Sequence, residues 1–396
     1  MRAAAPLALA CGLYAATLGA LSTAAPANPY VATDGAYAKA PALGIMIGTL
    51  SPGPNDAITD VAGVRVGHVT RVEGDGALRP GVGPVRTGVT AIVPRDDVWH
   101  RKVPAAVWAL NGNGEMTGAH WVNEAGFLEV PILLTDTLSV GRVDDGVISW
   151  MIRRYPQIGI DDDVPLPVVA ECDDGFLNDI QGRHATAQDA VAALDAASTA
   201  PPEQGAVGAG TGMMAFQFKA GIGTASRVIP AMAGGYTVGV LVNANMGRRP
   251  QLVVDGVAVG RAMTDRMPVH ETPDGSIIIV IATDAPLDHA ELLSVARRAA
   301  LGLARTGATS MPGSGDLVIA FSTANAIPHF PESATYPMTV LSRYRIDPIF
   351  TATEDATEEA ILNALLSART MTGRDGNTAY ALPHERLRQL LAGRKS

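Results

Sequence analysis

The pair Gly275-Ser276, at the head of the run Ser276-Ile277-Ile278-Ile279-Val280-Ile281-Ala282-Thr283-Asp284, carries the most chemistry in this chain. Glycine admits backbone torsions closed to other residues and leaves its carbonyl without steric cover, so the hydroxyl that follows can attack that carbonyl and cut the chain. The product begins with a serine whose own α-amine, of reference pKa about 7.7–8, lies beside its hydroxyl and can take the hydroxyl proton at neutral pH. A Gly-Ser pair ahead of an apolar strand is also an ordinary turn, and residue types alone leave both readings standing.

Four further places set polar residues among glycines or at strand ends. In Asn111-Gly112-Asn113-Gly114-Glu115-Met116-Thr117-Gly118 the glycines let backbone N–H groups converge on a ligand, or form a turn that caps the next element. Glu171, at the end of an apolar stretch, is placed either to hold a substrate ammonium or to solvate a strand end. Asn243-Ala244-Asn245 closes another apolar run, where an amide can donate to a developing oxyanion or fold into a local Asx turn. Ser314 and Asp316 put a hydroxyl and a carboxylate two residues apart on a glycine loop, which reads as a relay to a nucleophile or as a plain turn.

The elements that must position these groups are mostly short strands. Apolar runs bounded by Gly, Pro and Asp predict strands over 43–50, 64–70, 88–94, 105–110, 130–134, 166–170, 213–218, 236–242, 276–284 and 317–322. Helical spacing predicts helices over 143–155, 187–197, 288–305, 357–371 and 383–392. The third of these places Leu292, Val295, Ala296, Ala299 and Leu303 on one face, with Asp288 and Glu291 favouring its N-terminal dipole. Strands in two groups with helices outside them predict a layered α/β sandwich without a linker long enough to divide it. The glycine-rich run 205–212 is followed by no helix pattern, so it reads as a close-packed loop rather than a dinucleotide site.

Composition narrows the function classes. A net charge of -9 with no Lys/Arg cluster disfavours nucleic acid and anionic membrane as partners. The eight histidines are scattered and no paired-cysteine spacing occurs, so neither a metal nor another cofactor is expected. Residues 1–27 read as a secretory signal: Arg2, an apolar stretch broken by Pro6, Gly12 and Gly19, then Ala25-Pro26-Ala27. This implies export to the periplasm. Cys11 falls within the signal and Cys172 is then the single mature cysteine, so no internal disulfide is expected and a core must hold about 370 residues together.

Taken together, these segments resemble the DmpA/BapA group of self-processing aminopeptidases, which includes L-aminopeptidase/D-esterases and secreted β-peptidyl aminopeptidases. The resemblance rests on Leu43-Gly44-Ile45, residues 55–68, residues 111–118, Gly221-Ile222-Gly223-Thr224-Ala225-Ser226-Arg227, residues 243–247, Asp274-Gly275-Ser276-Ile277-Ile278 and Thr283-Asp284-Ala285-Pro286-Leu287, in family order. It implies a four-layer αββα sandwich similar to ornithine acetyltransferase, made as one chain and cut between Gly275 and Ser276. The pieces would be a larger subunit 28–275 and a smaller one 276–396, which stay together as one globular domain.

By the same resemblance, Ser276 would be the nucleophile, Ser314 and Asp316 its hydroxyl-carboxylate pair, and Asn245 the donor at the oxyanion or substrate amine. Glu171 would bind the substrate's free amino group, with Asn243 and Asn113 as further substrate contacts. Asp316 stands where β-peptidyl aminopeptidases carry the longer glutamate, and no tyrosine lies near Cys172 as in some relatives. The implied activity is removal of N-terminal β-amino acids from short peptides and amides, by a homotetramer of cut heterodimers. The signal segment favours that branch over an L-aminopeptidase with D-alanyl esterase or amidase action. Acyl transfer to an amine and an uncut periplasmic binding protein are the readings of other classes.

Overall fold

The computed structural model describes Met1 and residues 37–272 and 275–393. The expected signal segment therefore lies, apart from Met1, outside the described residues. Two sheets lie face to face. The smaller has the order Arg65–Glu73, Val85–Val93, Ile132–Asp136, Val168–Cys172. The larger runs Ile327–Pro328, Arg101–Gly112, Gly315–Ser322, Gly275–Thr283, Thr237–Met246, Ile222–Val228, with the short strand Phe127–Leu128 paired to Arg101–Gly112.

Helices Val140–Arg154 and Ala187–Asp195 cover the outer face of the small sheet, and His289–Arg305 and Asp347–Leu366 that of the large one. This is the four-layer αββα sandwich. It follows from strands that are apolar on both faces: Ile277, Ile279 and Ile281 enter the core beneath the helices, whereas Ile278, Val280 and Ala282 enter the core between the sheets. Each sheet contains one parallel pair joined by a helix, since antiparallel hairpins cannot make that connection. The pairs are Ile132–Asp136 with Val168–Cys172, and Gly275–Thr283 with Gly315–Ser322.

Local rules explain most boundaries. Asp288 and Thr186 accept from the N–H three residues on, and each closes a reciprocal capping box. Three expectations need correction. Residues 43–50 form no strand: a 3-10 turn, Ala40–Leu43, ends at Gly44 with φ 76°, and only the period-two burial of Ile45 and Ile47 survives. Residues 213–218 form a tight hairpin, Met214–Ala215 against Phe218–Lys219, rather than one strand. The helix expected over 357–371 is Asp347–Leu366. Its middle looks too acidic to bury, yet Asp355 and Glu354 meet Arg305 at 2.7 and 2.9 Å, and Glu359 is bound by the buried Arg227. The loop 205–212 is close-packed as expected; a Cβ on Gly210 would lie 2.3 Å from the Ile222 nitrogen.

Candidate active site

Ser276 is the second residue of its strand, and the ladders on both sides fix its neighbours. It lies opposite Asn245 on the antiparallel side and opposite Gly315 on the parallel side. Its Oγ donates to the Gly275 carbonyl at 2.8 Å, and the side chain is nearly buried. Gly275 has φ +97°, and a Cβ there would meet the Asn245 carbonyl at 2.1 Å. No other residue fits that torsion and that space together, so the glycine of the Gly-Ser pair is required by the backbone it adopts.

Asn243 and Asn245 lie inside the strand Thr237–Met246, not in an Asx turn beyond its end. Extension of the ladder by four residues puts Asn245 beside Ser276. Its Oδ1 accepts from the Met214 N–H at 2.9 Å and its Nδ2 donates to the Asp173 carbonyl at 2.8 Å, so the amide's oxygen is occupied and its remaining N–H is the group left to donate. Asn243 sits one pleat deeper, fully buried beside Cys172, whose thiol donates to the Asn243 carbonyl at 3.6 Å. It does not line the cleft at Ser276, which corrects its expected place among the substrate contacts.

Ser314 donates to Asp316 Oδ1 at 2.7 Å, and both are buried. They flank Gly315, the register partner of Ser276, and border a small cavity with Met246, Gly247 and Gln251 on the other side of the strand from the cleft. Asp316 Oδ2 is buried without a hydrogen-bond partner. Asp316 is thus the second residue of a strand, Gly315–Ser322, rather than the close of a loop.

The cleft over Ser276 is bounded by residues 112–115, Thr137, Glu171, Asp173, Gly275 and Gly313. Asn113 holds one wall by donating from Nδ2 to the Gly313 carbonyl at 2.7 Å, and Asn111 ties the same two loops through the Ser310 and Met311 carbonyls. Glu171 belongs to the strand Val168–Cys172 and is 3% exposed. Its Oε1 accepts from the Glu115 N–H at 3.0 Å and its Oε2 from the Thr137 hydroxyl. Burial pushes the Glu171 carboxyl above its ordinary pKa; those two hydrogen bonds oppose the rise, and the nearby Asp173 and Asp136 charges add to it. Among the described residues the cleft presents Glu115, Glu171 and Asp173 and no lysine or arginine, which suits a cationic group on the ligand.

Glu171, Asn113, Gly275 and Ser276 therefore meet in one cleft, Asn245 pairs with Ser276 from the neighbouring strand and lines an adjoining small cavity with Asp173 and Gly275, and Ser314 with Asp316 lie behind the Ser276 strand. Sequence reasoning missed Thr137 and Asp173. The signal available for Thr137 was Thr135-Asp136-Thr137 directly after an apolar run, where Asp136 caps the next turn by accepting from Leu138 and Ser139. Among the described residues, no group of three or more His, Cys, Asp or Glu could hold a metal ion. A hydroxyl against a glycine carbonyl, an amide donor beside it and a carboxylate across the cleft are the parts of acyl transfer from a substrate that carries an ammonium.

Comparison with known proteins gives the same class. A sequence model described as peptidase family S58 matches residues 56–379. The chain is 44% identical over 356 residues to the beta-peptidyl aminopeptidase BapA of Sphingosinicella microcystinivorans, covering 86% of this chain and 88% of that one. Among solved structures, the l-aminopeptidase d-ala-esterase/amidase of Ochrobactrum anthropi superposes with a TM-score of 0.84 at 41% identity, covering 90% of this chain and 99% of the other. A Pyrococcus horikoshii OT3 protein does so with a TM-score of 0.86 at 47% identity, over 90% of this chain and 99% of the other. The chain belongs to peptidase family S58 and is a serine aminopeptidase of that family.

Proposed function

We propose that this aminopeptidase cuts its own chain between Gly275 and Ser276, then uses the freed Ser276 to release N-terminal β-amino acids from short peptides and amides. The observation that carries the reading is the conformation of Gly275, whose positive φ and lack of a Cβ keep its carbonyl 2.8 Å from Ser276 Oγ beside Asn245. In the cut, Ser276 Oγ attacks the Gly275 carbonyl carbon, the C–N bond breaks, and the resulting ester is hydrolysed by water. The products are a Gly275 carboxylate and a free Ser276 α-amine.

In turnover the α-amine takes the proton of Ser276 Oγ, which attacks the carbonyl of the substrate's first residue. The developing oxyanion is met by the free N–H of Asn245 Nδ2. The leaving amine is protonated and departs, and water resolves the acyl-enzyme. Ser314 and Asp316 act from behind the strand, orienting the α-amine through the Gly315 segment. Glu171, ionised, holds the substrate's ammonium, which restricts attack to the first residue of a peptide.

The β-amino acid preference is supported by the 44% identity to a beta-peptidyl aminopeptidase across most of both chains. The structural likeness to an l-aminopeptidase d-ala-esterase/amidase supports the competing reading. Turnover of β-alanyl and D-alanyl amides by the same preparation separates the two. Preference for the β-alanyl amide is expected, and preference for the D-alanyl amide rejects the β-peptidyl reading. Accumulation of amide product only when an acceptor amine is added would point to acyl transfer instead. We also propose export to the periplasm through residues 1–27 and assembly of cut heterodimers into a tetramer.

A further inference from the structure

Upstream of the Gly275–Ser276 bond, Thr272 is gripped from two sides. Arg248 Nη1 donates to the Thr272 carbonyl and to its Oγ1, both at 2.8 Å, and Gln217 Nε2 donates to the same Oγ1 at 3.3 Å. Thr272 is 8% exposed as a result. Arg248 lies two residues beyond the strand that carries Asn245, with its own N–H anchored on Gln251 Oε1 at 2.7 Å. Both grips therefore arise from parts already tied to the active-site strand.

Gln217 is held in an unusual way. It and Phe216 form the two-residue turn of the Met214–Ala215 and Phe218–Lys219 hairpin, at φ +58° and +50°, torsions that non-glycine residues seldom adopt. The buried Arg249 braces the turn: its Nε donates to the Phe216 carbonyl at 3.1 Å, its Nη2 to the Gln217 carbonyl at 2.6 Å, and its guanidinium stacks on Phe218 at 3.4 Å. The Arg249 N–H also donates to Gln217 Oε1 at 3.0 Å, which leaves the amide nitrogen of Gln217 facing Thr272. Through Met214 N–H the same hairpin fixes Asn245. Strain of this kind persists only where surrounding contacts over-determine it, and it concentrates at working sites.

We propose that Arg248 and Gln217 are positioning residues for self-cleavage, holding Thr272 so that the Gly275 carbonyl stays against Ser276 Oγ, and that they have no part in hydrolysing external peptides. The proposal rests on the cleavage reading given above. Its second half follows from chain direction. Thr272 lies three residues N-terminal to Gly275, the acyl residue of the cut, whereas an aminopeptidase substrate ends at its acyl residue and offers nothing for this grip to hold.

The test follows freshly synthesised parent, Arg248→Met, Arg248→Lys and Thr272→Val chains by intact mass over time, then measures kcat, KM and Tm of the fully cut fractions. Loss of a charged hydrogen-bonding partner is expected to slow the cut about 10–100-fold in Arg248→Met. Thr272→Val, which keeps the carbonyl bond, should slow it about 3–10-fold, with Arg248→Lys between parent and Arg248→Met. The cut fractions should match the parent in kcat and KM within about twofold. Variants that cut at the parental rate, or that lose cutting and peptide turnover to the same extent, overturn the inference. A parent that itself stays uncut overturns the cleavage reading beneath it, so the two failures are distinct.

Discussion

Each sheet holds one parallel pair of strands joined by a helix, yet the two pairs meet the cleft from opposite ends. In the large sheet the working groups stand at strand starts, with Ser276 second in Gly275–Thr283 and Asp316 second in Gly315–Ser322. In the small sheet they stand at strand ends: Glu171 is next to last in Val168–Cys172, and Thr137 follows Ile132–Asp136. The first group is held by backbone register on both sides, which fixes the Gly275–Ser276 bond in place before any ligand arrives. The second is held by side-chain and loop contacts, Thr137 Oγ1 and the Glu115 N–H, which suits recognition of a group that comes and goes. The large sheet should therefore govern kcat and self-cleavage, and the small sheet KM.

The strongest break of that division is Ser276→Ala, expected to stop the cut and to lower peptide turnover by at least ~10^4-fold while the fold persists, as read by intact mass and an amidase assay. Next is Asp316→Asn. It keeps a hydrogen-bond acceptor for Ser314 but removes the charge, so kcat should fall about 10²-fold and the cut should slow, with KM little changed. Glu171→Gln should do the reverse, raising KM for peptides about 10–100-fold with kcat within a few-fold. It should leave self-cleavage at the parental rate, because the uncut chain presents no free ammonium at that point. A Glu171→Gln chain that fails to cut would end the division of labour between the sheets.

A finer probe is Thr137→Val. The Thr137 hydroxyl donates to the Glu171 carboxyl and so opposes the rise in pKa that burial imposes. Its loss should raise that pKa further and move the acid limb of the kcat/KM profile to higher pH. The smallest effect concerns Lys219, the last residue of the strained hairpin, whose amine donates to the Gly210, Met213 and Ala220 carbonyls. Burial lowers its pKa to about 7 from 10.5. A folded pKa below the unfolded one means that the unfolded chain binds the proton more tightly between those values, so this group's contribution to stability rises with pH across that window. Melting temperatures at pH 7 and pH 9 should accordingly rise more in the parent than in Lys219→Met.

Much of this organisation was legible because strong apolar runs are hard to misread. The Ile277-Ile278-Ile279-Val280-Ile281 run required a strand buried on both faces, which in turn required helices on one side and a second sheet on the other. What sequence could not give was partners far apart in the chain. The acidic middle of Asp347–Leu366, residues 354–359, packs inward because Arg227 and Arg305 reach it. Asn243 and Asn245 look like a turn until the ladder with Gly275–Thr283 is seen to run through them. The same ladder decides that Asn245 faces Ser276 and that Asn243 does not reach the cleft. The Arg248–Thr272 contact carries no local signature, and the capped turn at Thr137 shows that an element begins there but not that its hydroxyl reaches Glu171.

The central claim is that Ser276 is both the group that cuts the chain and the residue the cut exposes. Intact mass of the purified protein beside its Ser276→Ala variant tests it most directly. From residue share of a 41.0 kDa chain, and with residues 1–27 removed, the parent should give pieces of ~26 and ~12.5 kDa, the smaller beginning at Ser276, and the variant one uncut chain. A single uncut chain in both would leave Ser276 without a free α-amine and contradict the account.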